Sequence, residues 1–296
     1  MLPARATRLA WLQLAAVVVL FGLSWPVMKI GLAGGTPVWL AAGRATLSAL
    51  TAFALLAVLG RLAWPRREDW PVIASVGALQ LTCFFALANL GVQTLPAGRS
   101  GVLAHTTMLW MVPLSFLAGE KVGMRSLGGA ALGVAGLAVL ADPQSFDWAD
   151  RGIVLGHIYL LTAGFTWALA MMHTRRHVWR GTPLDALPWQ MSVATVMLWI
   201  AAPLIEPAGY LDPAKGELWL ALIFIGVIAG PTSTWAIVSA TRTLSPLTTS
   251  LGILGVPLLG IAASVAVLGE PVTAPLAIGC LLMLAGMAFV ILEKSK

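Results

Sequence analysis

The second half of this chain repeats the first, which confines the fold to two copies of one unit. Displaced by 150 positions, Gly119-Glu120 falls on Gly269-Glu270, Val122 on Val272, Gly129 on Gly279 and Ala135-Gly136 on Ala285-Gly286. The same displacement brings Thr82 onto Thr232, Ala86 onto Ala236 and Pro96 onto Pro246. Nearer the start it shortens to 142, and Gly22-Leu23-Ser24-Trp25 lies over Gly164-Phe165-Thr166-Trp167. The two units are placed at residues 1–145 and 150–296.

Each unit is too apolar for water. Of 296 residues, 59% are hydrophobic and 10% charged, with mean hydropathy +0.89, whereas a soluble domain carries about 25% charged residues. Segments of about the length that crosses hydrocarbon are expected at 9–31, 37–59, 71–92, 98–118, 127–141, 153–174, 187–205, 217–239, 247–268 and 273–292. The expected fold is therefore an all-α integral membrane protein of ten transmembrane helices, five per repeat. Five is odd, so the second copy enters the bilayer from the opposite face. Two inverted five-helix repeats are an arrangement that places equivalent half-sites around a midplane cavity in secondary transporters.

Charge sets the orientation. The net charge of +6 comes from 18 Lys and Arg. With the N terminus inside, 13 of these face the cytoplasm and 3 (Arg99, Arg151, Lys215) face outward, leaving Lys29 and Arg44 within spans. Basic residues stay on the cytoplasmic side during insertion, so both termini are expected inside a multi-pass cytoplasmic (inner) membrane protein. The basic balance is a topology signal and does not point to nucleic acid. Cys83 and Cys280 both fall in spans and imply no disulfide framework. The charged N terminus runs into an apolar stretch long enough to be the first span rather than a cleaved signal. His173 and His177 are expected at the cytoplasmic surface.

No Asp or Glu lies in the middle of any span, and Glu120 and Glu270 stand at span ends. No paired carboxylate, metal-ligand cluster, nucleotide-binding glycine loop or other catalytic group is present, so no catalytic residue, metal or cofactor is expected. An integral membrane enzyme without a recognisable catalytic cluster is the alternative of a different class. Lys29 and Arg44 are embedded cations, and intramembrane ionisable residues are functional candidates. Each either meets a substrate carboxylate or is accommodated locally, Lys29 by reaching the interface and Arg44 by binding helix carbonyls or a lipid phosphate. His105 and His157 either carry a proton or bond neighbouring helices.

Polar groups beside aromatic rings recur halfway through two spans. Gln80-Leu81-Thr82-Cys83-Phe84-Phe85 corresponds to Gly230-Pro231-Thr232-Ser233-Thr234-Trp235, and the fourth span adds His105, Thr107 and Trp110. Trp25 and Trp167 are a repeat-related pair at mid-depth. The expected substrate-binding set is Trp110, Trp167, Trp25, Arg44, Lys29, Gln80, Thr82, Phe85, His105, Thr107, Thr232, Ser233 and Trp235. Inter-helix packing is the alternative for each.

Several stretches resemble a known family. Phe21-Gly22-Leu23-Ser24-Trp25-Pro26-Val27-Met28-Lys29-Ile30-Gly31 is similar to the first helix of EamA-type members of the drug/metabolite transporter superfamily, which often carry an arginine where Arg44 stands. Phe165-Thr166-Trp167-Ala168-Leu169 resembles the start of the second EamA repeat. Leu244-Ser245-Pro246, Val256-Pro257 and Leu268-Gly269-Glu270 resemble its closing helices. The resemblance implies export or exchange of small metabolites, with amino acids a frequent substrate class and aromatic amino acid exporters the nearest in kind; the expected function is amino acid export by alternating access. Another metabolite or a drug is the alternative cargo. The small multidrug exporters related to half of this chain use a first-helix glutamate, which is absent from Gly22-Leu23-Ser24, so cationic drugs are disfavoured. The implied partners are a small-molecule substrate and membrane lipid, and the repeat lets a monomer complete a pathway. Pro257 has no counterpart at Thr107, and a proline comes instead at Pro113. The fourth and ninth helices are therefore expected to bend at different heights.

Overall fold

The computed structural model describes residues 4–120, 122–141, 149–240, 243–244, 249 and 252–294. Among them run α1 (Ala4–Gly31), α2 (Pro37–Val58), α3 (Arg67–Thr94), α4 (Ala97–Leu117), α5 (Met124–Ala141), α6 (Arg151–Arg176), α7 (Pro183–Ile205), α8 (Gly216–Ile237), α9 (Gly255–Leu268) and α10 (Ala274–Lys294). Eight are long and apolar enough to cross a membrane, and α5 and α9 are shorter apolar helices. The expected start of the ninth span, at 247, lies outside the described residues.

Local chemistry explains the helix ends. Thr36-Pro37 and Thr182-Pro183 open α2 and α7 with an extended residue followed by proline, whose missing N–H costs nothing in a first turn. Gly119 and Gly269 follow α4 and α9 with φ of 76° and 67°, a left-handed conformation that glycine adopts without penalty. Within spans the regular pattern lapses in matching places. Wide π-helical turns occupy Val76–Cys83 in α3 and Leu222–Ala229 in α8, and α4 is broken at His105-Thr106.

The packing of one half is exchanged for that of the other. α1 lies against α8 and α9 as α6 lies against α3 and α4, and α2 meets α8 as α7 meets α3. Gly226 of α8 rests on the Arg44 carbonyl and Leu47, while Gly77 of α3 rests on the Gln190 carbonyl and Val193. α2 and α7 run antiparallel, tied by Val38 N–H to Glu206 (3.0 Å), Trp199 Nε1–H to Thr46 Oγ1 (2.9 Å) and Arg61 to Asp185 (2.7 Å).

Three expectations change. His177 is not a free surface group: its Nε2 lies 2.8 Å from buried Asp69, which also accepts from the Arg180 and Gly181 amides. Arg99, counted with the outward-facing cations, is packed into the bundle, only 4% exposed in the first turn of α4. The α4 break follows Ala104, and the turn residue before α9 is Leu254, 150 positions on. The interruptions therefore correspond in height although the prolines do not.

α5 and α10 meet through glycine. A Cβ on Gly136 would stand 2.8 Å from the Gly279 carbonyl oxygen and 2.7 Å from the Met283 nitrogen, while one on Gly128 would meet nothing within 4 Å. Close backbone approach of this kind drives helix association in lipid. Gly136→Leu is expected to separate the pair and cost about 1–3 kcal/mol or more through overpacking. Thermal melts in detergent check this, with Gly128→Leu melting like the parent.

Candidate functional site

Seven helices (α1–α4 and α6–α8) surround a cavity of about 250 Å³ at mid-depth. Its walls are mostly apolar, with five aromatic side chains, Phe21, Trp25, Phe84, Phe85 and Trp167, among them. Phe84 and Trp167 meet edge to face with centroids 4.7 Å apart. Trp25 lies against Gly101 of α4 and Gly260 of α9, where a Cβ would come within 3.2 and 3.4 Å of the indole. These two glycines allow a large ring to seat deep between helices.

The polar groups are few. The Arg44 guanidinium stacks over the Phe85 ring at 3.8 Å, and among the described residues Nη1 has the Met28 sulfur alone, 3.9 Å away. Its Nε is buried without a partner, and it has no carboxylate partner among the described residues. Gln80 and Gln190 line the cavity too. His105, at the α4 break, sets Nδ1 2.6 Å from the Gly101 carbonyl. That oxygen only accepts, so Nδ1 carries the proton and Nε2 is an acceptor in the neutral ring. Ser24 and Thr234 donate to carbonyls of their own helices, Leu20 and Gly230, at 2.7 and 2.9 Å.

Trp25, Arg44, Gln80, Phe85, His105 and Trp167 are thus brought together from the expected set. The others lie elsewhere. Thr82 turns its hydroxyl back to the Gly77 carbonyl (2.8 Å), which the wide turn leaves within reach. Thr107 faces the Ala104 carbonyl at 3.5 Å across the α4 break. Trp110 packs on Phe165 beside a separate apolar groove along α4 and α5. Ser233 is fully buried outside the cavity, while Thr232 is exposed and Trp235 is 38% exposed on the outer, apolar face of α8.

Lys29 also lies outside the cavity. Its ammonium donates to the carbonyls of Val92 (2.5 Å), Gln93 (3.1 Å) and Leu95 (3.0 Å) at the end of α3. Two residues further on, Glu270 accepts from the Ala97 and Gly98 amides at 2.6 and 3.0 Å. A cation on helix C-terminal carbonyls and an anion on helix N-terminal amides both complement the helix dipoles. Together they clasp the α3–α4 loop from α1 and from the segment between α9 and α10. Glu120, the repeat mate of Glu270, instead meets Arg176 (3.3 Å) and Arg175 (3.8 Å) at the other end of the bundle.

Sequence reasoning missed Gln190, Phe84 and Met28. A signal for Gln190 was present, because Thr36-Pro37 and Thr182-Pro183 stand 146 apart and carry Arg44 onto Gln190.

Eight helices long and apolar enough to cross a membrane, with seven helices of the bundle enclosing a cavity that Arg44 lines, define a multi-pass membrane protein. The EamA-like transporter family matches both halves, residues 8–141 and 154–292, and the chain belongs to that family. It is similar to the uncharacterized transporter YvbV of Bacillus subtilis, 26% identical over 94% of this chain and 90% of that one. A "Probable amino-acid metabolite efflux pump" of Escherichia coli is 25% identical over 92% of this chain and 91% of its own length. A "Probable terminal-alkyne amino-acid exporter" of Streptantibioticus cattleyicolor is 25% identical over 69% and 64%. A solved crystal structure superposes with TM-score 0.65 at 22% identity, covering 98% of this chain and 96% of the other, which supports the fold alone.

Proposed function

We propose that this protein is a secondary transporter that exports amino acids, aromatic or bulky apolar ones, across the cytoplasmic membrane by alternating access. The observation that carries the reading is Arg44, a cation without a counter-ion among the described residues, in a cavity lined by Trp25, Phe84, Phe85 and Trp167. The substrate carboxylate binds the guanidinium, and its side chain packs between the rings. The names of the Escherichia coli and Streptantibioticus relatives support amino acids as cargo. The exchanged helix packing supports two inverted repeats, each a five-helix unit, with one chain forming the pathway. With both termini inside, the Lys29–Glu270 clasp lies on the outer side. Leu187 and Gln190, near the start of α7, then lie on the cytoplasmic side of the cavity.

Trp167 tests the aromatic part of this reading. Trp167→Ala is expected to reduce uptake of labelled phenylalanine by about tenfold relative to threonine, from the lost ring contacts and apolar area. Equal losses for both solutes in proteoliposomes would remove the case for an aromatic substrate.

A further inference from the structure

Arg44 and Gln190 occupy the same place in the two halves. Each is the eighth residue of a helix opened by Thr-Pro. Each offers its backbone carbonyl to a glycine of the other half: a Cβ on Gly226 would stand 3.0 Å from the Arg44 oxygen, and one on Gly77 2.9 Å from the Gln190 oxygen. Leu47 and Val193, three residues on, touch the same two glycines. Both Arg44 and Gln190 line the cavity. A site built by duplication therefore carries a cation at one of its equivalent positions and a neutral amide at the other.

The two groups address opposite ends of the cavity. The cross-links between α2 and α7 bring Arg44 level with Ala201 of α7. That places it about 11 residues from Gln190, or roughly 16 Å along the helix axes. Gln190 is only 7% exposed, and neither it nor Gln80 makes a side-chain hydrogen bond to another described residue. The amide faces the cavity, where its oxygen and N–H groups are open to a solute. Among the described residues lining the cavity, Arg44 is the one Lys or Arg, and none is Asp or Glu.

We propose that Gln190 is the specificity-determining residue that confines the cavity to solutes bearing a single carboxylate, taken at the Arg44 end. The inference rests on the reading that Arg44 takes the carboxylate. At the Gln190 end the amide oxygen accepts from an ammonium or another donor, and the amide N–H groups bond a neutral acceptor. A second carboxylate would lose its hydration there without gaining a counter-charge, which low-dielectric surroundings penalise heavily. A basic side chain at 190 supplies that charge and opens the cavity to dicarboxylates. An acidic one favours solutes with a second cation.

The test measures solute affinity by thermal stabilisation of the purified full-length protein in detergent. Two near-isosteric pairs are used, glutamine against glutamate and glutaramate against glutarate, with lysine as the dibasic probe. The parent is expected to bind each monocarboxylate at least about tenfold more tightly than its dicarboxylate partner, and Gln190→Arg to reverse that order. Gln190→Glu, nearly the same size as the parent residue, is expected to gain lysine. Arg44→Gln/Gln190→Arg keeps one buried cation and is expected to recover the monocarboxylate binding lost in Arg44→Gln. It also serves if the singly charged-up variant fails to fold. Parent binding of amino acids that depends on Arg44, with no shift in preference in any folded variant at 190, overturns this proposal and leaves the amino acid reading standing. A switch seen only with glutaramate and glutarate upholds Gln190 and discards amino acids as cargo. Binding of no carboxylate by any variant overturns both.

Discussion

Arg44→Gln is expected to lower amino acid exchange by about 100-fold or more, the equivalent of roughly 2.7 kcal/mol, while raising the melting temperature of the solute-free protein. The two effects share one cause. Among the described residues the guanidinium has Phe85 and the Met28 sulfur for company and no carboxylate. A charge held away from water without a counter-ion destabilises the fold. The substrate carboxylate repairs that deficit, so removing the charge relieves the fold and deprives the substrate of its anchor. Stability sacrificed at a functional site is the expected pattern. Arg44→Lys keeps the charge but loses the flat face that lies on Phe85, and is expected to recover only part of the activity. Melting curves with and without phenylalanine check the pair of effects: Arg44→Gln should melt higher and lose its response to solute. A variant that melts lower and still exchanges would assign Arg44 to scaffold.

Glu270→Gln is expected to open the outer side. The carboxylate accepts from two adjacent amides, Ala97 and Gly98. A glutamine offers one acceptor, and its amide N–H groups face donors. The loss of about 1.5–3 kcal/mol in charge-assisted bonding shifts the two-state balance by roughly 10- to 150-fold towards the outward-open form. Met28 lines the cavity next to Arg44, so Met28→Cys, in a chain with Cys83 and Cys280 replaced by alanine, reports access. A membrane-impermeant thiol reagent added outside should label it much faster when Glu270→Gln is present. An unchanged labelling rate would show that the clasp is not the outer gate. In sequence the repeat places Pro246, Leu247 and Thr248 where Pro96, Ala97 and Gly98 stand, whereas Glu120, the repeat mate of Glu270, meets Arg175 and Arg176.

The helices were legible because hydrocarbon leaves little choice: backbone groups must be satisfied within each span, and the apolar runs are long. The repeat was legible through its glycines and the two Gly-Glu pairs, which end α4 and α9 in the same left-handed turn. Other features depend on contacts distant in sequence. Lys29 caps carbonyls 63 to 66 positions away, and the spacing along α1 carries no trace of them. Thr232 and Trp235 share a repeat register with Thr82 and Phe85, but register does not set which face of a helix turns inward. α8 points them outwards. The wide turns in α3 and α8 shift the faces that follow them by more than a regular helix would. Gln190 is legible only through the 146-residue register of α2 and α7, which pairs it with Arg44.

The most direct test of the account is counterflow in proteoliposomes. Vesicles containing the purified protein are loaded with unlabelled phenylalanine, and labelled phenylalanine is supplied outside. Label is expected to accumulate transiently above the level in unloaded vesicles, and Arg44→Gln to abolish that accumulation. No accumulation with phenylalanine or with any other amino acid loaded inside would contradict the account.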